Sequence, residues 1–371
     1  MTLARLLLAA CSILAVSVSA LARPAEAAYV APSMEYGVVT WIVGRPEAID
    51  RDMDAVAAGG YQWMKIAVHW DMIEHACNDC YDFSQLDPVI NAAAARGLKV
   101  IARVDHPPAW ATTNPNVATN PPPDNPEDYA DIISALTAHY TSNYIQAIEI
   151  WNEPNLNREW GNRLITQAEA NKYMFMLRRS YEQAKKKDPN ITILSAGLSP
   201  TGTNDGTAQP DDVYLQWLYQ AGLGQYSDGI GLNANSYGLP PETPIMSDPS
   251  RPHPSFYFRR IEQMHDIMVA NGDVNKQVWI LECGYDSDPI HPDYAWFAVD
   301  EATKGDYLVR ALKYAKSNWS PWVAEMTVWT FADPAWTQDN EQYWWAITNP
   351  DGSTRPAYDA IQAARANGSL P

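Results

Sequence analysis

Short apolar runs alternate along the chain with longer stretches whose apolar residues recur at helical spacing. The runs fall at 36–41, 63–68, 99–104, 147–151, 192–197, 229–233, 278–282 and 326–330, and the helical stretches lie near 46–58, 84–96, 126–141, 167–187, 211–221, 255–270, 301–317 and 356–366. Short strands followed in turn by helices predict a parallel sheet covered by helices, and eight uninterrupted pairs predict one α/β domain, a single (β/α)8 TIM barrel. End signals agree with this division. Ser84 is placed to begin a helix whose Leu86, Val89, Ile90 and Ala93 share a face, and Gly97 is placed to cap it. Gly59-Gly60, Gly222 and Gly272 close other helices in the same way, and Pro126 and Pro356 sit where a first-turn proline is tolerated. The proline-rich segments 105–124, 239–254 and 286–293 follow strands three, six and seven, where a barrel of this kind builds the rim of a substrate cleft.

Composition fits a folded, exported protein. Of 371 residues, 46% are hydrophobic and 11% aromatic, with 15 tryptophans, which is ample for a core. Arg5, the apolar stretch 6–21 and the small-residue exit Ala25-Glu26-Ala27 read as a secretory signal peptide over 1–27, so the folded domain is expected at 28–371, secreted. Leu8-Ala9-Ala10-Cys11 resembles a lipoprotein box, but too few apolar residues precede it. No later stretch is long and apolar enough for a membrane span. In an oxidising compartment Cys77 and Cys80 are expected to form a local disulfide, because no second pair of cysteines or histidines completes a zinc site. A net charge of −18 opposes nucleic acid and anionic surfaces and suits a neutral ligand.

Two apolar runs end in chemistry. Ile148-Glu149-Ile150-Trp151-Asn152-Glu153-Pro154 delivers Glu153 at the carboxyl end of strand four, and Val278-Trp279-Ile280-Leu281-Glu282 delivers Glu282 at the end of strand seven. A carboxylate ending an apolar strand needs a partner, and two on one barrel face are the equipment for glycosidic bond cleavage. Retention of configuration needs the carboxyls ~5–5.5 Å apart and inversion ~6.5–9.5 Å.

Trp151-Asn152-Glu153-Pro154 on strand four, with a glutamate closing strand seven, resembles clan A of the glycoside hydrolases, retaining (β/α)8 enzymes. Within the clan the chain is most similar to families 39 and 5. The resemblance covers roughly 36–366 and continues in 63–74, Tyr81-Asp82-Phe83, 95–100 and 351–358. It implies that Glu153 is the general acid/base, Glu282 the nucleophile, and Asn152 a hydrogen-bond partner of the sugar 2-hydroxyl. It places Trp329, after strand eight, as the floor of the cleaved sugar, where an indole covers the apolar face of the ring. Tyr237 stands near the position of a tyrosine that bonds the nucleophile. Here, however, the chain reads Asn233-Ala234-Asn235-Ser236-Tyr237 where relatives show His-x-Tyr, so Asn235 is an alternative for part of that role. Lys65 stands where many relatives carry arginine. His106 and Trp110, after strand three, are further candidates for sugar contact.

No metal or cofactor is expected: the seven histidines are scattered, no glycine-rich phosphate loop follows a strand, and Asp339-Asn340-Glu341 reads as a solvated loop. The expectation is therefore a monomeric, secreted, retaining β-glycoside hydrolase that acts internally on a neutral β-linked polysaccharide. The alternatives are an exo-acting β-xylosidase or β-glucosidase, a transglycosylase, and a catalytically silent carbohydrate-binding barrel.

Overall fold

The computed structural model describes residues 29–114 and 116–370. Among the described residues, strands β1 (Glu35–Thr40), β2 (Trp63–His69), β3 (Lys99–Asp105), β4 (Ala147–Ile150), β5 (Thr192–Ser195), β6 (Gly229–Asn235), β7 (Gln277–Gly284) and β8 (Val323–Val328) pair in parallel, each with its neighbours in sequence. Pairing of β8 with β1 closes the barrel. Helices Ile49–Ala58, Asp87–Ala95, Pro126–His139, Gln167–Lys187, Asp211–Gln220, Arg260–Ala270, Glu301–Asn318 and Pro356–Ala366 follow the strands in turn. The molecule is the single (β/α)8 barrel that the alternation predicts. The candidate signal peptide lies outside the described residues.

Period-two alternation sorts each strand into an outer and an inner face. Met64, Ile66 and Val68 of β2, Val100, Ala102 and Val104 of β3, and Ile148 and Ile150 of β4 join the core beneath the helices. The inner face changes character along the barrel axis. At the amino end Trp63, Ile101, Ala147, Leu194 and Trp279 fill the interior, with the two indoles edge to face at 5.1 Å. One pleat further on, the same faces carry Lys65, Arg103 and Glu149, all buried. Charges at that depth must be paired, and their pairing extends to the carboxyl face, where the site lies.

A bulge alters this register. In β6–β7, Leu232 pairs with Ile280 but Asn233 pairs with Glu282, so Leu281 is the extra residue. Trp279 and Leu281 both face the barrel interior, and strict alternation would turn Glu282 outward toward the helices. The bulge returns it to the inside, opposite Asn233.

Some boundaries differ from expectation. The second helix begins at Asp87, because the Asp82 carboxylate takes the Ser84 amide and holds 84–86 in a turn. The stretch 255–270 splits into a 3-10 turn Pro254–Phe256, where the His253 side chain accepts from Ser255 N, and helix Arg260–Ala270. Strand β8 stops at Val328, leaving Trp329 in the following loop, and β4 stops at Ile150. Short helices Pro292–Ala295 and Glu341–Trp345 occupy segments expected as loops. Cys77 and Cys80 are joined in a disulfide, with Cα atoms 5.4 Å apart.

Candidate active site

A cavity of about 580 Å³ opens at the carboxyl ends of the strands, lined by residues that follow all eight of them or end them. Backbone shape brings several lining residues in. Glu153, His106 and Tyr237 line the cavity with φ of 34°, 56° and 43°, and Trp151, beneath Glu153, has φ of 74°. Non-glycine residues rarely adopt such angles, and here they bend the chain inward just past the strands. After Pro154 the chain is held back over the cavity: the Trp151 indole donates to Glu159 O at 2.8 Å, and Asn155 bridges Ser199 and Gln209. The 3-10 turn Asn157–Glu159 thereby sets Arg158 and Glu159 beside Glu153.

Glu153 and Glu282 meet through one amide. Asn233 Nδ2 donates to Glu153 Oε1 at 2.9 Å and to Glu282 Oε2 at 3.4 Å. These oxygens are therefore no more than about 6.3 Å apart, the two distances laid end to end. The amide is itself fixed by a missing side chain. A Cβ at Gly197, beyond β5, would lie 2.3 Å from Asn233 Oδ1, so only glycine leaves the amide where it stands.

The two carboxylates differ in their surroundings. Glu282 Oε1 lies 3.4 Å from Lys65 Nζ and 3.3 Å from Arg103 Nη1. Lys65 is shared with Glu149, at 2.8 Å, and Arg103 with Asp105, at 2.9 Å. Glu282 is pushed up to about 7, burial and the Glu153 charge outweighing Lys65 and Arg103, which pull it down. Glu153 faces Arg158, whose Nη2 lies 3.4 Å from its Oε2 on a side chain that is 66% exposed. A third carboxyl, Glu159, is raised by burial and by the Glu153 charge, and accepts from Asn120 Nδ2 at 3.3 Å.

The remaining candidates separate. Asn152 lines the cavity and accepts from Arg103 at 3.4 Å. Trp329 lines it too, edge to face with Trp41 at 5.5 Å, its indole donating to Gln342 Oε1 at 3.0 Å. Asn235 and Tyr237 are both lining residues, but the Tyr237 hydroxyl points to Pro200 O at 3.4 Å, and it is Asn233 that reaches Glu282. His106 stacks on His69 at 4.1 Å and bonds Asp105 through Nδ1 at 2.8 Å. Trp110 is outside the cavity: its indole donates to Glu74 O at 2.9 Å and packs edge to face with Trp70, because the loop after β3 runs against the segment that follows β2. Glu341, expected in a solvated loop, lines the cavity and accepts from the Trp345 indole.

Asn233, Arg103, Arg158 and Glu159 were not singled out by the sequence reading. A charge inside an apolar strand, as at Arg103 and Glu149, is the signal that was available for part of this set. Among the described residues, His69, Asp105 and His106 are the grouping of metal-type ligands. Asp105 is already committed to Arg103 and His106, and the imidazoles lie face to face instead of converging. A second cavity of about 460 Å³, between 122–126 and helix Gln167–Lys187, is remote from the carboxylates, and its Arg163 and Lys172 are both paired with Glu169.

The chain spans 63% of a family 39 glycoside hydrolase from the gut symbiont Bacteroides cellulosilyticus WH2, which covers 90% of it at a TM-score of 0.68 and 18% identity. A glucosidase from Croceicoccus marinus covers 90% at a TM-score of 0.65 and 13% identity, with 67% of that protein matched. The exo-β-1,4-mannosidase Op5Man5 from Opitutaceae bacterium strain TAV5 covers 91% at 0.59 and 17%, with 60% of its own length matched. At these identities the likeness is one of fold. No curated protein matches the chain in sequence. The sequence model described as Cellulase (glycosyl hydrolase family 5) matches residues 27–220, more than half of the chain, so the chain belongs to glycosyl hydrolase family 5.

Proposed function

We propose that this family 5 glycoside hydrolase cleaves a neutral β-linked glycan by double displacement, with Glu282 as nucleophile and Glu153 as general acid and then base. The observation that carries the reading is the single amide bonded to both carboxylates, with two cations on Glu282 alone. Burial and the Glu153 charge both raise Glu282, so the pair favours holding one proton. The reading puts the anion on Glu282, beside Lys65 and Arg103, and the proton to be transferred on Glu153. In the first step the Glu282 carboxylate bonds the anomeric carbon as the glycosidic bond breaks, and Glu153 protonates the departing oxygen. In the second, Glu153 takes a proton from water, whose oxygen bonds the anomeric carbon on the face the first oxygen left while the bond to Glu282 breaks. Asn152 is proposed to hold the 2-hydroxyl, and Trp329, with Trp41 behind it, to cover the sugar face.

Lining residues on every side of the carboxylates support sugars on both sides of the scissile bond, and hence internal cleavage. Exo action is the second reading, favoured by the glucosidase and exo-mannosidase among the similar structures. Residues 1–27 are proposed to direct export, which sequencing the amino terminus of secreted protein tests.

Digestion of a polysaccharide panel by Glu282→Ala and Glu153→Ala tests the mechanism. Glu282→Ala is expected to lower kcat by more than about 10⁴-fold, and Glu153→Ala by about 10²–10⁴-fold on glycans whose leaving oxygen needs a proton. Wild-type turnover by either variant overturns the assignment. A ladder of oligosaccharides supports internal cleavage, and single sugars support exo action.

A further inference from the structure

Glu153 has two oxygens and two donors. Oε1 accepts from Asn233 Nδ2 at 2.9 Å, and Oε2 faces Arg158 Nη2 at 3.4 Å. Oε1 already spends an acceptor site on an amide that only donates, so we take the proton of a protonated Glu153 to sit on Oε2. Guanidinium also only donates, so a proton on Oε2 removes the charge that attracts Arg158 and leaves that oxygen a weaker acceptor for it. Arg158 is free to leave. Its side chain is 66% exposed, and among the described residues it donates no other hydrogen bond. It stands on a one-turn helix, with Glu159 Oε1 already 3.9 Å from its Nε and the charge of Glu341 across the cavity.

We propose that Arg158 is a movable counter-ion, a positioning residue that leaves Glu153 Oε2 while that oxygen carries the proton and returns once the proton has gone. The inference rests on the acid/base reading of Glu153. In the first step the Glu153 O–H bond breaks, its proton goes to the departing glycosidic oxygen, and the new carboxylate recovers Arg158. In the second step a water O–H bond breaks toward Oε2 and Arg158 withdraws toward Glu159 or Glu341, while the hydroxyl bonds the anomeric carbon and the ester electron pair returns to Glu282. The groups that face this pair are Glu159 on its own turn, Tyr237 after β6, Glu282 on β7, Tyr294 on the short helix Pro292–Ala295 and Glu341 after β8.

The test uses pH profiles of wild type, Arg158→Ala and Arg158→Lys on two probes: an oligosaccharide the enzyme cleaves, and the 2,4-dinitrophenyl glycoside of the same sugar. For the oligosaccharide, kcat/KM needs Glu153 protonated, so its alkaline limb reports Glu153. For the dinitrophenyl glycoside, whose departure needs no proton, hydrolysis of the glycosyl-enzyme limits kcat and needs Glu153 ionised, so its acid limb reports the same group. Removing the cation favours the protonated form, and both limbs of Arg158→Ala are expected to move up by about half a pH unit or more. Arg158→Lys is expected to return both limbs to near wild type. A side chain with a merely structural role would lower the rates without moving the limbs. Unmoved limbs in Arg158→Ala overturn the inference; Arg158→Gln supplies the same reading if the alanine variant does not fold. Unmoved limbs with an inactive Glu153→Ala sink the Arg158 role alone, whereas a fully active Glu153→Ala sinks the acid/base reading and this inference together.

Discussion

Lys65 divides one ammonium between Glu149, at 2.8 Å, and Glu282, at 3.4 Å, at a depth where neither carboxylate reaches bulk water freely. Removing it leaves Glu149 buried and unpaired, so Lys65→Met is expected to lower stability by about 3–5 kcal/mol in chemical denaturation. Neutralising the stranded partner in Lys65→Met/Glu149→Gln should restore most of that loss. The kinetic effect should survive the rescue. Lys65 holds Glu282 below where burial alone would put it, and in the proposed mechanism the carboxylate is the reactive form, so without Lys65 the acid limb of kcat/KM should move to higher pH in both variants. An unmoved limb in the double variant would mean that Arg103 alone sets the charge of Glu282. Lys65 and Glu149 were visible in the sequence as charges inside apolar runs, but their meeting depends on register. Asn233 was legible as the end of a strand and illegible as a ligand of two carboxylates, because a bulge at Leu281 decides what it faces.

Strands and helices were readable because each buries a continuous apolar stretch whose period is written in the sequence. Loops were not, since single side-chain contacts fix them. Trp110 is an example: near a strand end in sequence, it is turned toward Trp70 by the path of its loop. Lys304, on helix Glu301–Asn318, shows how the active-site loops are held. Its buried ammonium donates to Trp344 O at 2.8 Å, Ala346 O at 2.9 Å and Ser287 Oγ at 3.2 Å, and pairs with Glu301 at 2.9 Å. It thereby ties the loop after β7 to the short helix Glu341–Trp345, which contributes Glu341, Gln342 and Trp345 to the cavity. Lys304→Ala is expected to cost about 2–4 kcal/mol and to raise KM more than it lowers kcat. Denaturant titration alongside steady-state kinetics reads both. An unchanged KM would show that the loop holds its shape without this anchor.

For the whole molecule, the carboxyl face inherits the sign of the chain. Glu153, Glu159, Glu282 and Glu341 line the cavity against Arg103 and Arg158, within a protein of net charge −18. A glycan bearing carboxylates is therefore repelled both near and far, and salt weakens the far part. Calorimetric titration of Glu282→Ala should show a uronate-bearing oligosaccharide binding more tightly between about 10 mM and 150 mM salt, with a neutral one indifferent. Equal salt response of the two would show that the summed field is not felt at the cavity. Closure of the barrel has one last chemical consequence. The position of the Asn233 amide is a measuring length between two carboxylates, and that length is kept by the absence of a methyl group at Gly197 on the neighbouring strand end. Widened toward ~6.5 Å, the same pair would admit a water between Glu282 and the sugar. Which anomer leaves the enzyme is thus a matter of clearance, set by a residue that never touches the substrate.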